Sequence, residues 1–146
     1  MSNLPLKKFS LVRPTVQTTF HVDFDWWKQH DSNWRVYLHS CLCSEHQIAF
    51  TNLEEGYLID WVDKDSAEVT KVDGLENILM KHCSLQPEFL DMNMPLVDAV
   101  FRVFIAHNNT PMNSIQLAEF TGKSSDIILR TLTGPQVYKG IRPIQN

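Results

Sequence analysis

Apolar residues recur at intervals of three and four in several stretches of this chain and alternate with polar ones in another. Residues 1–22 hold Pro5 and Pro14 and no helical period, so they predict an extended N-terminal arm whose Phe9, Leu11, Val12 and Phe20 lie on its own domain or on a partner. From Asp23 the spacing turns helical. Trp26, Trp27, His30, Trp34, Tyr37, Leu38, Cys41 and Leu42 fall on recurring positions, with Asp23 or Asp25 placed to cap and Asp31-Ser32-Asn33 placed to break the run in two. Tyr57 to Val62 then alternates, Lys64-Asp65-Ser66 turns, and Val69 and Val72 return, which predicts a β-hairpin with Ile59 and Trp61 facing inward. Asp73-Gly74 opens a helix bearing Leu75, Ile78, Leu79 and His82, and Gln86-Pro87 ends it.

The last third reads as three short helices and a strand. Val97, Val100, Phe101, Phe104 and Ile105 mark one helical face, ending at Asn108-Asn109 before Pro111. Asn113 with Gln116 three residues on is an Asn variant of the capping box and opens a second helix with Ile115, Ala118 and Phe120. Gly122 can stop it in the left-handed conformation, and Ser124 or Ser125 can cap a third helix with Ile127, Ile128, Leu129 and Leu132. Val137 to Ile141 would be a closing strand, limited by Gly140 and Pro143.

This order over about residues 94–146 resembles a winged helix-turn-helix. The resemblance implies that the third helix is presented to the DNA major groove, with Lys123, Ser124, Ser125 and Arg130 on or beside it and Lys139 and Arg142 on the wing meeting phosphates. Helix-turn-helix units also dock proteins, and Ile127, Leu129 and the wing could instead form a dimer or partner surface. The fold expected is α+β, organised as an arm (1–22), a Trp-rich helix, hairpin and helix unit (23–92) and a winged-helix-like unit (93–146), the last two packed as one body.

Charge complicates the DNA reading. The chain of 146 residues carries a net −4. Residues 1–22 carry three bases and no acid, residues 23–95 carry 5 bases against 14 acids, and residues 96–146 carry 5 bases against 3 acids. Only the two ends would attract a polyanion. Composition is ordinary for a globular protein, at 43% hydrophobic and 21% charged, and no long apolar run or signal peptide is present, so a cytoplasmic protein without membrane contact is expected.

Three cysteines, an odd number, argue for reduced thiols or metal ligands over a disulfide framework. On a continuous helix His39, Cys43 and His46 would share one face, and Cys43-x2-His46 also chelates where the chain turns. Zinc takes about four such donors, so Cys43, His46 and Cys83 would be joined by a fourth from His82, His39 or Cys41 in a closed, structural site. Otherwise these cysteines are small core residues. The acidic middle disfavours a catalytic thiol, and no Gly-rich phosphate loop, GxSxG elbow or HExxH occurs, so neither an enzyme nor a small-molecule substrate is expected.

Trp26, Trp27 and Trp34 lie within nine positions. Helical spacing makes them core residues. Exposed, Trp26 and Trp27 would form a partner surface together with Phe9 and Val12 of the arm. The functional expectation is a non-enzymatic regulatory or adaptor protein, acting on DNA through its third C-terminal helix. The alternative is a protein-interaction subunit of a larger assembly, or a homodimer, using the arm and the Trp-rich surface.

Overall fold

The computed structural model describes residues 13–50 and 58–144, with the backbone alone for residues 58, 59, 61 and 70–72. Phe9 and Val12 lie outside the described residues, as do the side chains of Ile59 and Trp61 expected to face inward. The architecture is mixed helix and sheet. In chain order it runs β1 (Thr19–Val22), α1 (Phe24–His30), α2 (Trp34–Cys41), α3 (Ser44–Ala49), β2 (Leu58–Val62), β3 (Val69–Asp73) and α4 (Gly74–Lys81). Two 3-10 turns (Cys83–Leu85 and Pro87–Phe89) lead to α5 (Leu96–Ala106), β4 (Met112–Asn113), α6 (Ser114–Thr121), α7 (Ser125–Leu132) and β5 (Ile141–Pro143).

The final residues of the expected arm are the middle strand of a sheet. β1 pairs antiparallel with β4 on one side (Thr19 to Asn113, Phe20 to Met112) and with β5 on the other (Phe20 to Pro143, His21 to Arg142, Val22 to Ile141). Phe20 and Val22 are buried while Thr19 and His21 are half-buried, the period-2 alternation of a strand with one face on the core.

Local chemistry sets the helix ends. Asp23 caps α1 by accepting from Trp26 N at 3.1 Å. Asp31 ends it and takes the indole N–H of Trp27 on Oδ2 at 3.0 Å. Asp73 caps α4 by accepting from Leu75 N and Glu76 N, and its other oxygen pairs with Arg35 of α2. Lys28 of α1 pairs with Glu76 of α4, so two ion pairs tie the first helices to the helix after the hairpin. The hairpin has the expected turn: Asp63 Oδ1 accepts from Ser66 N and Asp65 N, and these donors hold its carboxyl below the usual carboxylate range.

One core draws on both ends of the chain. Trp27, 1% exposed, meets Phe101 of α5 edge-on at 5.4 Å, Tyr37 at 6.0 Å and Trp34 at 6.3 Å. Each such edge contact is worth about 0.5–1.5 kcal/mol beyond the burial itself. Phe20, Leu38, Leu79, Phe104, Leu117 and Ile128 complete the same cluster. Trp27 is therefore a central core residue, as its helical spacing predicts, and not the partner contact of the alternative reading. The cause is the spacing that makes α1 amphipathic.

The closing strand also departs from expectation. Val137 and Tyr138 are irregular, Lys139 and Gly140 form a turn with positive φ (53° and 73°), and the strand begins at Ile141. Gly140 is required there: a Cβ would lie 2.7 Å from Trp27 Cβ, and its carbonyl accepts from Asp23 N at 2.8 Å. Among the described residues, no helix is long and apolar enough to cross a membrane.

Candidate metal centre

Cys43, His46, His82 and Cys83 meet at one point. Their ligand atoms all lie within 4.8 Å of one another, and the group could hold a metal ion. Sequence order explains how. α2 ends at Cys41, and Leu42 and Cys43 are extended (ψ 154° and 159°) before α3 starts, so Cys43 stands at the N-terminal boundary of α3 with His46 one turn on. At the other wall α4 stops at Lys81. His82, at φ −131° and ψ −62°, breaks the α-helical path and the chain tightens into a 3-10 turn, which lets two adjacent residues, His82 and Cys83, contribute to the same point.

Four of the six donor separations lie near the edges of a tetrahedral nitrogen–sulfur set. Cys43 Sγ lies 3.1 Å from His46 Nδ1 and 3.8 Å from His82 Nδ1, and Cys83 Sγ lies 3.5 Å from Cys43 Sγ and 3.7 Å from His46 Nδ1. A tetrahedral metal with about 2.3 Å to sulfur and about 2.0–2.1 Å to imidazole has S···S edges of about 3.8 Å and S···N edges of about 3.6 Å. Both imidazoles turn Nδ1 inward, and their rings stand at 75° with centroids 4.5 Å apart.

Burial pushes the Cys83 thiol up to about 11, and the neighbouring Cys43 thiol adds to the rise. A cation among the four donors inverts that balance, because it binds thiolate and neutral imidazole. A metal held by all four would have a closed shell, with no position for a substrate or an activated water.

The residues around the ligands fix the turn that presents them. Gln47 Nε2 donates to Leu42 O at 3.0 Å and to Ser40 O at 3.2 Å, clamping the extended link just before Cys43. His39 Nε2 is 2.8 Å from Gln47 O. His39 therefore supports α3 and lies outside the group, and the expected continuous helix carrying His39, Cys43 and His46 on one face is broken at Leu42. Cys41 is buried on the core side, where burial raises its thiol, and it stays outside the group. Of the three residues weighed for the fourth place, His82 is the one that lies in the group. Nothing in the spacing of the sequence could have named Gln47.

The residues expected to contact DNA are dispersed in their commitments. Lys123 Nζ donates to Met92 O at 3.2 Å, Lys139 Nζ lies 4.4 Å over the Tyr37 ring, and Arg142 pairs with Asp23 at 3.0 Å and covers the Trp26 ring at 4.9 Å. Ser124 caps α7 through Ile127 N and Ser125 is its first residue, half-buried. Arg130 is exposed, as is Asp126 on the same helix. Trp26 is half-buried, stacked on His30 at 4.0 Å. No protein-family model matches the chain, and neither a curated protein nor a solved structure matches it.

Proposed function

We propose that this is a non-enzymatic regulatory or adaptor protein in which zinc, held by Cys43, His46, His82 and Cys83, clips the α2–α3 link to the end of α4. The closed set of two sulfurs and two imidazole nitrogens carries the reading, since a tetrahedral nitrogen–sulfur site selects zinc over harder ions. Elemental analysis of the natively purified protein tests it. One equivalent of zinc, with thiols becoming titratable on chelation, is the expected result. Protein without metal that takes up none when zinc is added overturns it.

The C-terminal unit acts, in this reading, as a winged-helix-like interaction module. Its support is the succession α5, β4, α6, α7 and β5, with the Asn113–Gln116 capping box opening α6 and Gly122 at φ 72° turning the chain into α7. It departs from the pattern in that the sheet is completed by β1 from the N-terminal side. A protein partner is favoured over DNA by what the helix pair exposes: Ile115 and Phe120 at 46% and Ile127 at 50%, beside Glu119 and Asp126, while Lys123, Lys139 and Arg142, three of the four cations expected to meet DNA, are engaged within the chain. Salt-sensitive binding to random-sequence duplex DNA that is lost in Arg130→Ala would reverse that preference.

A further inference from the structure

A cleft of about 240 Å³ lies against the metal centre, with Cys43, Cys83, Gln86, Glu88 and Arg102 in its wall and Cys41 beside them. Both cysteines of the centre are thus approached from one side. Cys43 is half-buried, Cys83 is buried behind it, and their sulfurs stand 3.5 Å apart. The Arg102 guanidinium donates through Nη1 to Phe89 O and brings a fixed positive charge to the same wall.

We propose that Cys43 and Cys83 are a peroxide-oxidisable pair: a hydroperoxide entering this cleft converts them to a disulfide and expels the metal. The inference rests on the zinc reading above. In the first step the Cys43 sulfur attacks the nearer peroxide oxygen, the O–O bond breaks, and the departing oxygen leaves with a proton as water or alcohol, giving Cys43 sulfenic acid. In the second, the Cys83 sulfur attacks the Cys43 sulfur, the S–O bond breaks, and hydroxide takes a proton and leaves as water. The two sulfurs lose two electrons and the peroxide gains them. Two imidazoles alone then remain to the metal, too few donors to retain it. The covalent link persists between the start of α3 and the end of α4, while His46 and His82 are released.

The experiment uses the full chain loaded with one equivalent of zinc and challenged with excess hydrogen peroxide. Zinc release is followed with a chromophoric chelator and the bridge is mapped by mass spectrometry. Expected are release in step with a Cys43–Cys83 cross-linked peptide, reversal by a thiol reductant with added zinc, and the same behaviour in Cys41→Ser. Cys83→Ser, which cannot close the bridge, should accumulate a dimedone-reactive Cys43. If that variant fails to fold, the wild-type mapping decides alone. Zinc retained with both thiols intact, or a bridge that involves Cys41, overturns the inference and leaves the zinc reading standing. Failure to take up zinc before peroxide is added overturns both.

Discussion

The side-chain amide of Asn109 takes the place of a missing strand beside Val22. Its Oδ1 accepts from Val22 N and its Nδ2 donates to Val22 O, both at 2.8 Å, across 87 residues of sequence. β4 ends its pairing with β1 at Phe20, so Val22 has no backbone partner on that edge, and a buried unpaired N–H and C=O are costly. Asn109 supplies both bonds from a left-handed backbone (φ 58°), which Asn tolerates better than most residues.

Asn109→Gly should therefore destabilise the protein by about 2 kcal/mol or more, since it keeps the backbone conformation and strands both Val22 groups. Asn109→Asp should cost more, because a carboxylate oxygen then faces the Val22 carbonyl in place of a donor. Urea denaturation of the three proteins checks the order. Equal midpoints would mean that water replaces the amide without loss.

The two left-handed glycines should respond unequally to alanine. At Gly140 (φ 73°) a Cβ would sit 2.7 Å from Trp27 Cβ and 3.1 Å from Asp23 O, a core side chain and a backbone carbonyl that cannot move away cheaply. At Gly122 (φ 72°) it would meet Met92 Cε at 2.9 Å, the end of a flexible side chain. Gly122→Ala should cost the left-handed penalty of about 1–2 kcal/mol. Gly140→Ala should cost that plus overpacking of about 1–3 kcal/mol. Melting temperatures of the pair test the contrast.

Tyr37 donates its hydroxyl to Asp98 Oδ1 at 2.5 Å, and burial, then the neighbouring Cys41 and Asp98, raise its phenol well above the ordinary tyrosine value. The folded state thus keeps the proton to higher pH than the unfolded chain does. The stability that this gives is fully present below about pH 10, the unfolded phenol's value, and is lost as pH rises beyond it. The gap in stability between wild type and Tyr37→Phe should be constant through neutral pH and shrink above about pH 10. Spectrophotometric titration should show one of the three tyrosines ionising only on unfolding. A phenol that titrates with the others in the native protein would contradict this.

Much of the C-terminal unit was legible because its signals are local. Asn113 and Gln116 make the capping box that their spacing announces, Gly122 stops α6 and Ser124 opens α7. The hairpin likewise follows from alternation and a turn of small polar residues. What was missed or left open was non-local. Thr19 to Val22 is a strand because β4 and β5 arrive on either side from more than 90 residues away. Val137 reads as strand by propensity, yet no strand forms until Gly140 has passed Trp27. The candidate metal ligands were legible as residue types. Their grouping was decided by two helix breaks, at Leu42 and His82, and nothing in the hydrophobic period marks either.

Those breaks separate ligands from supports, and mutation should do the same. Cys43→Ser, His46→Ala, His82→Ala and Cys83→Ser each remove a donor and should leave protein that retains no stoichiometric zinc on dialysis. Their stability should fall by the linkage term, about 4 kcal/mol where free zinc stands at a thousand times the dissociation constant. The protein has a core of its own in Trp27, Phe101 and Leu117, so loss of metal should lower the melting temperature without abolishing folding. Gln47→Ala removes the clamp on Ser40 O and Leu42 O and touches no ligand atom. It should keep one equivalent of zinc while weakening affinity by about 10–100-fold, as loss of an orienting partner does. Cys41→Ser should leave affinity unchanged, because Cys41 lies outside the group. Competition against a calibrated chelator measures all six variants on one scale. A Gln47→Ala protein as metal-free as Cys43→Ser would show that the α2–α3 turn is built by this glutamine and not by the metal. Wild-type affinity in that variant would show that the metal alone selects the turn.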